Sequence, residues 1–252
     1  MNRFFLELGP VTIHYYGVII ALAILTAYFL ARKQAWRFGL STNEVDKYIF
    51  WLIIISIIGA RIYFLLFNWS YYSQNLNETW QLWHGGISIF GAIISGGIFA
   101  YLFARKKAYS FWQLLDLTAL VLPLGQAIGR WGNFINYEAF GKPTTLPWKM
   151  FVPADYRPVQ YQSQEYFHPA FLYESLADLI LFAVLFIFRK KLKHGQIILV
   201  YLLGYSIIRF FMEFIRVDVL WVGGVNGNQA IAVLLFLVAG AGLIWKMRTK
   251  MV

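Results

Sequence analysis

Apolar positions fall in seven long blocks along this chain. The blocks run roughly Tyr16–Ala31, Tyr48–Phe67, Ile87–Ala104, Leu114–Ile128, Ala170–Phe188, Ile197–Ile215 and Ala230–Trp245. A helix crosses a hydrocarbon core with about 20 apolar residues, so the pattern predicts seven transmembrane helices. The expected fold is all-α: a polytopic membrane protein, with residues 1–252 forming a single integral membrane domain. The longest interruption, Asn136 to Pro169, holds Pro143, Pro147, Pro153 and Pro158 among many aromatic residues. It predicts a loop or cap at about 136–169, serving either as a lid or docking element or as a stabilised surface cap. In the third block Ser88, Ala92, Gly96 and Ala100 recur every fourth residue, a small-residue stripe suited to close helix packing. No internal repeat is evident, which argues against an inverted-repeat transporter.

Composition agrees with the blocks. The chain is 60% hydrophobic and 13% charged, whereas a soluble domain is about half apolar and about a quarter charged. The formal charge of +10 does not imply nucleic acid, because the cations lie in short clusters between apolar runs. Arg32, Lys33, Arg37 and Lys47 follow the first block, and Arg105, Lys106 and Lys107 the third. Arg189, Lys190, Lys191 and Lys193 follow the fifth, and Lys246, Arg248 and Lys250 the seventh. Basic loops stay cytoplasmic, so the N-terminus is expected outside and the C-terminus inside. Only Arg3 precedes the first block and no small-residue cleavage site follows it, so that block reads as a retained helix. There is no cysteine, which excludes a disulfide framework and a cysteine nucleophile of the protein's own. No HExxH or comparable metal pattern occurs and the serines lack a GxSxG setting.

A few polar residues remain that a bilayer makes costly. The stretch Gly129-Arg130-Trp131-Gly132-Asn133-Phe134-Ile135-Asn136-Tyr137-Glu138-Ala139-Phe140-Gly141 follows the fourth block and faces the outside in this topology. An arginine with amides and glycines is a plausible cradle for a lipid phosphate. In the sixth block Tyr205, Arg209 and Glu213 are spaced four apart and share a helix face. That face either aims Arg209 at a cavity or forms a structural ion pair. Arg61 lies within the second block; it pairs with Asp116, Glu174 or Asp178, or binds a lipid or peptide inside the bundle. His14 and His84 sit at the outer boundary, where a hydrogen-bonded anchor is the commoner role. His168 and Pro169 read as a helix entry.

Taken together these segments resemble the bacterial prolipoprotein diacylglyceryl transferase family nearly end to end. The resemblance is carried by His14-Tyr15-Tyr16-Gly17, Gly59-Ala60-Arg61, Trp83-His84-Gly85-Gly86-Ile87, Gly129–Gly141, His168–Glu174 and Tyr205–Arg216. It implies transfer of a diacylglyceryl group from phosphatidylglycerol to the lipobox cysteine thiol of a preprolipoprotein. A thioether forms and sn-glycerol 1-phosphate leaves, at the extracytoplasmic face of the cell membrane, before signal peptidase II acts. No metal or organic cofactor is implied. Arg130 and Arg209 would then hold the phosphate, where negative charge collects as the bond breaks. Asn133, Asn136 and Glu138 would bind the glycerol hydroxyls or fix the arginines, and Gly141 would let the chain pass close to the lipid. Tyr16, Tyr205 and Arg61 would add to the lipid site. One position departs from the family: Phe90 stands where many members have a histidine, and it cannot take a proton. His84 is one candidate base, Glu138 or Glu213 another, and an arginine field that favours thiolate is the third. The competing class is a lipid-binding or transport bundle, with a structural scaffold as a weaker third.

Overall fold

The computed structural model describes residues 4–8, 11–219 and 221–248, apart from a few side chains that include His84. In order, its longer elements are β1 (Phe4–Leu8), β2 (Val11–His14), α1 (Tyr15–Gln34), α2 (Thr42–Phe67) and the single turn α3 (Trp69–Tyr72). They continue with α4 (Ile89–Lys107), α5 (Phe111–Asn136), β3 (Met150–Phe151), β4 (Tyr166–Phe167) and α6 (Ala170–Phe188). The last are α7 (Gln196–Met212), β5 (Trp221–Val222), β6 (Val225–Asn226) and α8 (Gly227–Arg248). Helices α1, α2, α4, α5, α6 and α8 are long and apolar enough to cross a membrane, and α7 is a shorter apolar helix. The strands form three antiparallel pairs, β1 with β2, β3 with β4 and β5 with β6. The chain is therefore an all-α polytopic membrane protein with small hairpins between its helices.

The chain packs as two compact units, residues 1–31 with 118–252 and residues 32–117. In the second unit α2 starts at a cap predicted by Ser41-Thr42-Asn43-Glu44, with the Ser41 hydroxyl accepting from the Glu44 amide at 3.2 Å. Arg32 pairs with Asp46 at 3.1 Å and Lys107 with Glu44 at 3.3 Å, which clusters the charged ends of this unit. Helices α2 and α4 then touch through small residues. A Cβ on Gly91 would lie 2.4 Å from the Gly59 carbonyl oxygen, and one on Gly59 would lie 2.1 Å from Ser95 Oγ. Gly91, Gly96, Ala100 and Ala104 are the buried positions of α4. The small-residue stripe is thus a packing face at Gly96 and Ala100, with Gly91 buried in place of Ala92 and the row continuing to Ala104. Ile57, Ile58, Ile62 and Leu66 of α2 are exposed, as expected of side chains that meet lipid rather than protein.

The other unit holds α1 up to Ala31, α5 from Thr118, α6 to α8 and the cap. Helix α5 runs through Asn136, eight residues beyond the predicted end at Ile128. Its sequence there has no helix-breaking proline, and Gly129 and Gly132 are tolerated because a neighbour fills their space. A Cβ on Gly132 would lie 2.7 Å from the Tyr16 ring. Arg130 and Asn133 therefore project from a helix, one turn apart, and not from a loop. The chain leaves α5 through Tyr137 and Ala139, both left-handed with φ of 54° and 53°. The cap has a core of its own in Phe140, Met150, Val152, Phe167 and Phe171. The 136–169 segment thus packs against the start of α6 through Phe171.

The close crossing of α2 and α4 makes a paired test. Gly91→Ala should lower stability by about 1–3 kcal/mol, the usual cost of overpacking a tight contact. Gly97, whose Cβ would meet nothing within 4 Å, should accept alanine without that loss. Thermal unfolding of both variants in detergent checks the difference.

Candidate functional site

Helices α5, α6 and α7 run in alternation, so the C-terminal ends of α5 and α7 lie beside the N-terminal end of α6. This suits their charges. Arg209 is in the last turn of α7, where the helix dipole favours a cation. Glu174 lies in the second turn of α6 and its side chain is 2% exposed. A carboxylate so buried needs partners, and it has three arginines. Arg130 Nη2 pairs with Glu174 Oε2. Arg209 Nη1 donates to Glu174 Oε1 at 3.0 Å, and Arg216 Nη1 donates to the same oxygen at 3.2 Å.

Each arginine is also held from another side. Arg209 Nη2 meets Glu213 Oε1 at 2.5 Å, one turn on, as the four-residue spacing predicts. Glu213 Oε2 in turn accepts from Asn226 Nδ2 at 3.3 Å. Asn226 Oδ1 accepts from the amides of Asn228 and Gln229, both at 3.1 Å, and so caps α8. Gly223 and Gly224, both at positive φ, make the tight turn between β5 and β6 that brings Asn226 back to Glu213. Arg216 offers its fork to Asp218, with Nε at 3.1 Å and Nη2 at 2.6 Å from the two carboxylate oxygens. Burial pulls the Arg216 pKa down, but the bond to Asp218 and the nearby carboxylates outweigh it, so the pKa lies above the ordinary arginine value.

Glu138 closes the other wall. Its carboxylate accepts from Asn133 Nδ2 at 3.4 Å and from Asn136 Nδ2 at 3.1 Å. Asn133 Oδ1 faces Arg130 Nη1 at 3.5 Å. The left-handed residues on both sides of Glu138 set its direction, and such backbone costs about 1–3 kcal/mol per residue and tends to persist at functional sites. Between these walls lies a cavity of about 440 Å³ lined by Arg130, Asn133, Glu138, Arg216 and Asp218 among others. Among the described residues no cluster of three or more His, Asp or Glu side chains is placed to hold a metal.

The residues singled out from sequence are partly brought together. Arg130, Asn133, Asn136 and Glu138 form one wall, while Arg209 and Glu213 stand behind it through Glu174. Tyr16 packs its ring on Gly132, and Tyr205 stacks on Tyr201 with centroids 5.8 Å apart. Gly141 is a point of close chain approach. Its amide donates to the His168 carbonyl at 2.9 Å, it bridges to Arg216, and a Cβ there would lie 2.6 Å from Ile215. That bridge ties the cap to the segment carrying Arg216. Arg61 belongs to the other unit. Its guanidinium donates to the carbonyls of Glu78, Thr79, Gly85 and Gly86 at 2.6–2.8 Å. Those backbone bonds stand where one of the two readings placed a carboxylate, Asp116, Glu174 or Asp178. Phe90 is exposed on α4. His84 ends a short 3₁₀ turn, Leu82–His84, and its side chain lies outside the described residues. Sequence reasoning missed the central role of Glu174 and the roles of Arg216 and Asp218. The nearness of Arg216 to Asp218 was the one local signal.

Helices long and apolar enough to cross a membrane, with a polar cavity lined by Arg130 and Arg216 beyond the ends of α5 and α7, define an integral membrane protein. The chain belongs to the prolipoprotein diacylglyceryl transferase family, whose model matches residues 3–245. A phosphatidylglycerol–prolipoprotein diacylglyceryl transferase of Thermotoga maritima is 43% identical over 248 residues, which is 97% of this chain and 84% of that protein. Its counterpart in Trichormus variabilis is 46% identical over 246 residues, 95% of this chain and 87% of that protein.

Removing the charge of Glu174 leaves three guanidinium groups facing one another. Glu174→Gln should destabilise the protein by about 3–5 kcal/mol, the cost of breaking a buried pair. Glu174→Asp should lose less. Melting curves in detergent test this, and an unchanged melting point for Glu174→Gln would remove Glu174 from the centre of the network.

Proposed function

We propose that this protein transfers the diacylglyceryl group of phosphatidylglycerol to the lipobox cysteine thiol of preprolipoproteins, the first step of bacterial lipoprotein maturation. The observation that carries the reading is the cavity in which Arg130 and Arg216 face the amides of Asn133 and the carboxylate of Glu138. Its cations suit a phosphodiester, and its amides and carboxylate suit the hydroxyls of a glycerol headgroup. Arg209 lends its charge from behind through Glu174.

In the reaction the peptide thiol gives up its proton, the sulfur attacks the glyceryl carbon, and the carbon–oxygen bond to phosphate breaks. The electron pair of that bond goes to the phosphate oxygen, and sn-glycerol 1-phosphate departs. Arginines already aimed at that oxygen stabilise it without reorganisation. Holding lipid and peptide together supplies much of the remaining acceleration. The thiol proton needs an acceptor or a field that makes it dispensable. Glu138 serves best, since it is exposed on the cavity wall, whereas Glu213 is enclosed behind it and ion-paired with Arg209. Arg61 acts at a distance by holding the turns on both sides of Leu82–His84, and His84 is the remaining candidate base.

The protein sits in the cytoplasmic membrane of a bacterium, with its N-terminus and this site toward the extracytoplasmic face. The basic loops support that orientation. Its product is the substrate for signal peptidase II, which implies a hand-off.

Membranes carrying labelled phosphatidylglycerol and a lipobox peptide should yield thioether-linked lipid, and a peptide with serine in place of cysteine should not. Arg130→Ala and Arg209→Ala should each lower transfer by about 10²–10³-fold while the protein remains in the membrane. Full activity in either would sink the phosphate role, and lipid binding without transfer would favour a carrier. His84→Ala with normal turnover would exclude His84, and a faster Phe90→His would show that a base is limiting.

The absence of cysteine permits a direct test of orientation. A single Val159→Cys in the cap, at a residue 91% exposed, should react with an impermeant maleimide from outside intact cells. Lys190→Cys should react only after the membrane is opened. The reverse pattern would overturn the topology.

A further inference from the structure

Asp218 is out of place on the wall of a cavity that receives an anion. Arg216 gives that cavity its bidentate donor fork, and Asp218 occupies the fork at 3.1 and 2.6 Å. A phosphate approaching Arg216 meets a carboxylate already in the position where two phosphate oxygens would bind. The three carboxylates of the network differ in freedom. Glu174 and Glu213 are fully enclosed and held by several partners, whereas the Asp218 side chain is 54% exposed. It is the one that water can take over when the fork is claimed.

The charges point the same way. Arg130, Arg209 and Arg216 are already matched by Glu174, Glu213 and Asp218, and Glu138 adds a further carboxylate on the cavity wall, so an incoming phosphate meets an excess of negative charge that is eased when a carboxylate turns away. The proposed reaction sharpens the problem. Its lipid substrate is a phosphodiester with one negative charge, but its product is a monoester carrying about −1.5 to −2 at neutral pH. A fixed arginine cluster would hold the product more firmly than the substrate.

Resting on the transferase reading, we propose that Asp218 is a specificity-determining residue that competes with phosphate for the Arg216 fork and so speeds release of the glycerol phosphate product. It swings toward water as the headgroup arrives and returns to the fork as the monoester leaves. The exchange is reversible and needs no covalent step. Asp218 touches Arg216 and not the reacting atoms, so its effect falls on anion affinity.

The test uses the full-length protein in phosphatidylglycerol vesicles with a lipobox peptide, and in detergent for direct titration with sn-glycerol 1-phosphate or inorganic phosphate. Asp218→Asn should tighten product binding roughly three- to tenfold, the scale of a partly exposed charge-assisted pair. Its KM for phosphatidylglycerol should fall by less, because the diester carries less charge, and kcat should fall as release slows. Asp218→Ser should repeat this pattern and Asp218→Glu should restore wild-type behaviour. Unchanged or weaker binding of glycerol phosphate in Asp218→Asn and Asp218→Ser would overturn the proposal, leaving Asp218 as a residue that merely positions Arg216. Equal tightening toward inorganic phosphate assigns the effect to the phosphate itself, and tightening toward lipid alone would contradict it. Failure of the wild type to form thioether product would instead strike the transferase reading, since the titration reads anion competition without turnover.

Discussion

The buried carboxylate of Glu174 is the constraint on which the site depends. A lone carboxylate out of water is prohibitively costly, and so is a lone guanidinium. Each solves the other's problem. Glu174 draws Arg130 from α5, Arg209 from α7 and Arg216 from the chain beyond α7 onto two oxygens. Three segments distant in sequence are thereby fixed against one another at the helix ends. Ion pairs of this kind add little net stability over a packed apolar core. What they add here is position, since the same arginines line or support the cavity.

The small β-elements follow from that requirement. Arg216 lies outside any helix and needs another device to hold it. Its backbone bridges to Gly141, where a side chain would collide with Ile215 and His168. The cap that carries Gly141 is stiffened by a core in which the Phe140 and Phe167 rings pack at a tilt, centroids 4.9 Å apart. On the far side the β5–β6 turn returns Asn226 to Glu213, and the same side chain starts α8. The cap and the last helix are thus tied to opposite sides of one charge network.

Much of this was legible in the sequence, though not evenly. Block hydropathy placed the membrane helices, because hydrocarbon thickness sets their length. The four-residue spacing of Arg209 and Glu213 predicted their pair, because helical neighbours are a local property. The end of α5 was misplaced because hydropathy falls at Ile128 while helical backbone needs no apolar residues to continue past it. Glu174 was considered only as a partner for Arg61. Its actual partners lie 35 and 42 residues away for Arg209 and Arg216, and no periodicity spans that distance. Arg61 could not be placed from composition at all, since its partners are backbone carbonyls that every residue offers.

If the cavity receives a lipid phosphate as proposed, the network also explains why it contains so many acids. An arginine without a partner would be too costly to keep at this depth, and one free to move would have to be reoriented at the moment of bond breaking. Buried acids remove both difficulties by holding the guanidiniums before substrate arrives. On the proposed function they also temper the attraction, so that binding energy would be withheld from the ground state and appear as charge builds on the leaving phosphate. Only interactions stronger in the transition state than in the bound substrate accelerate the chemical step. A cluster balanced by carboxylates of unequal freedom meets that condition. On the proposed cycle, its buried members keep the geometry fixed, and its exposed member gives up the Arg216 fork when the headgroup arrives.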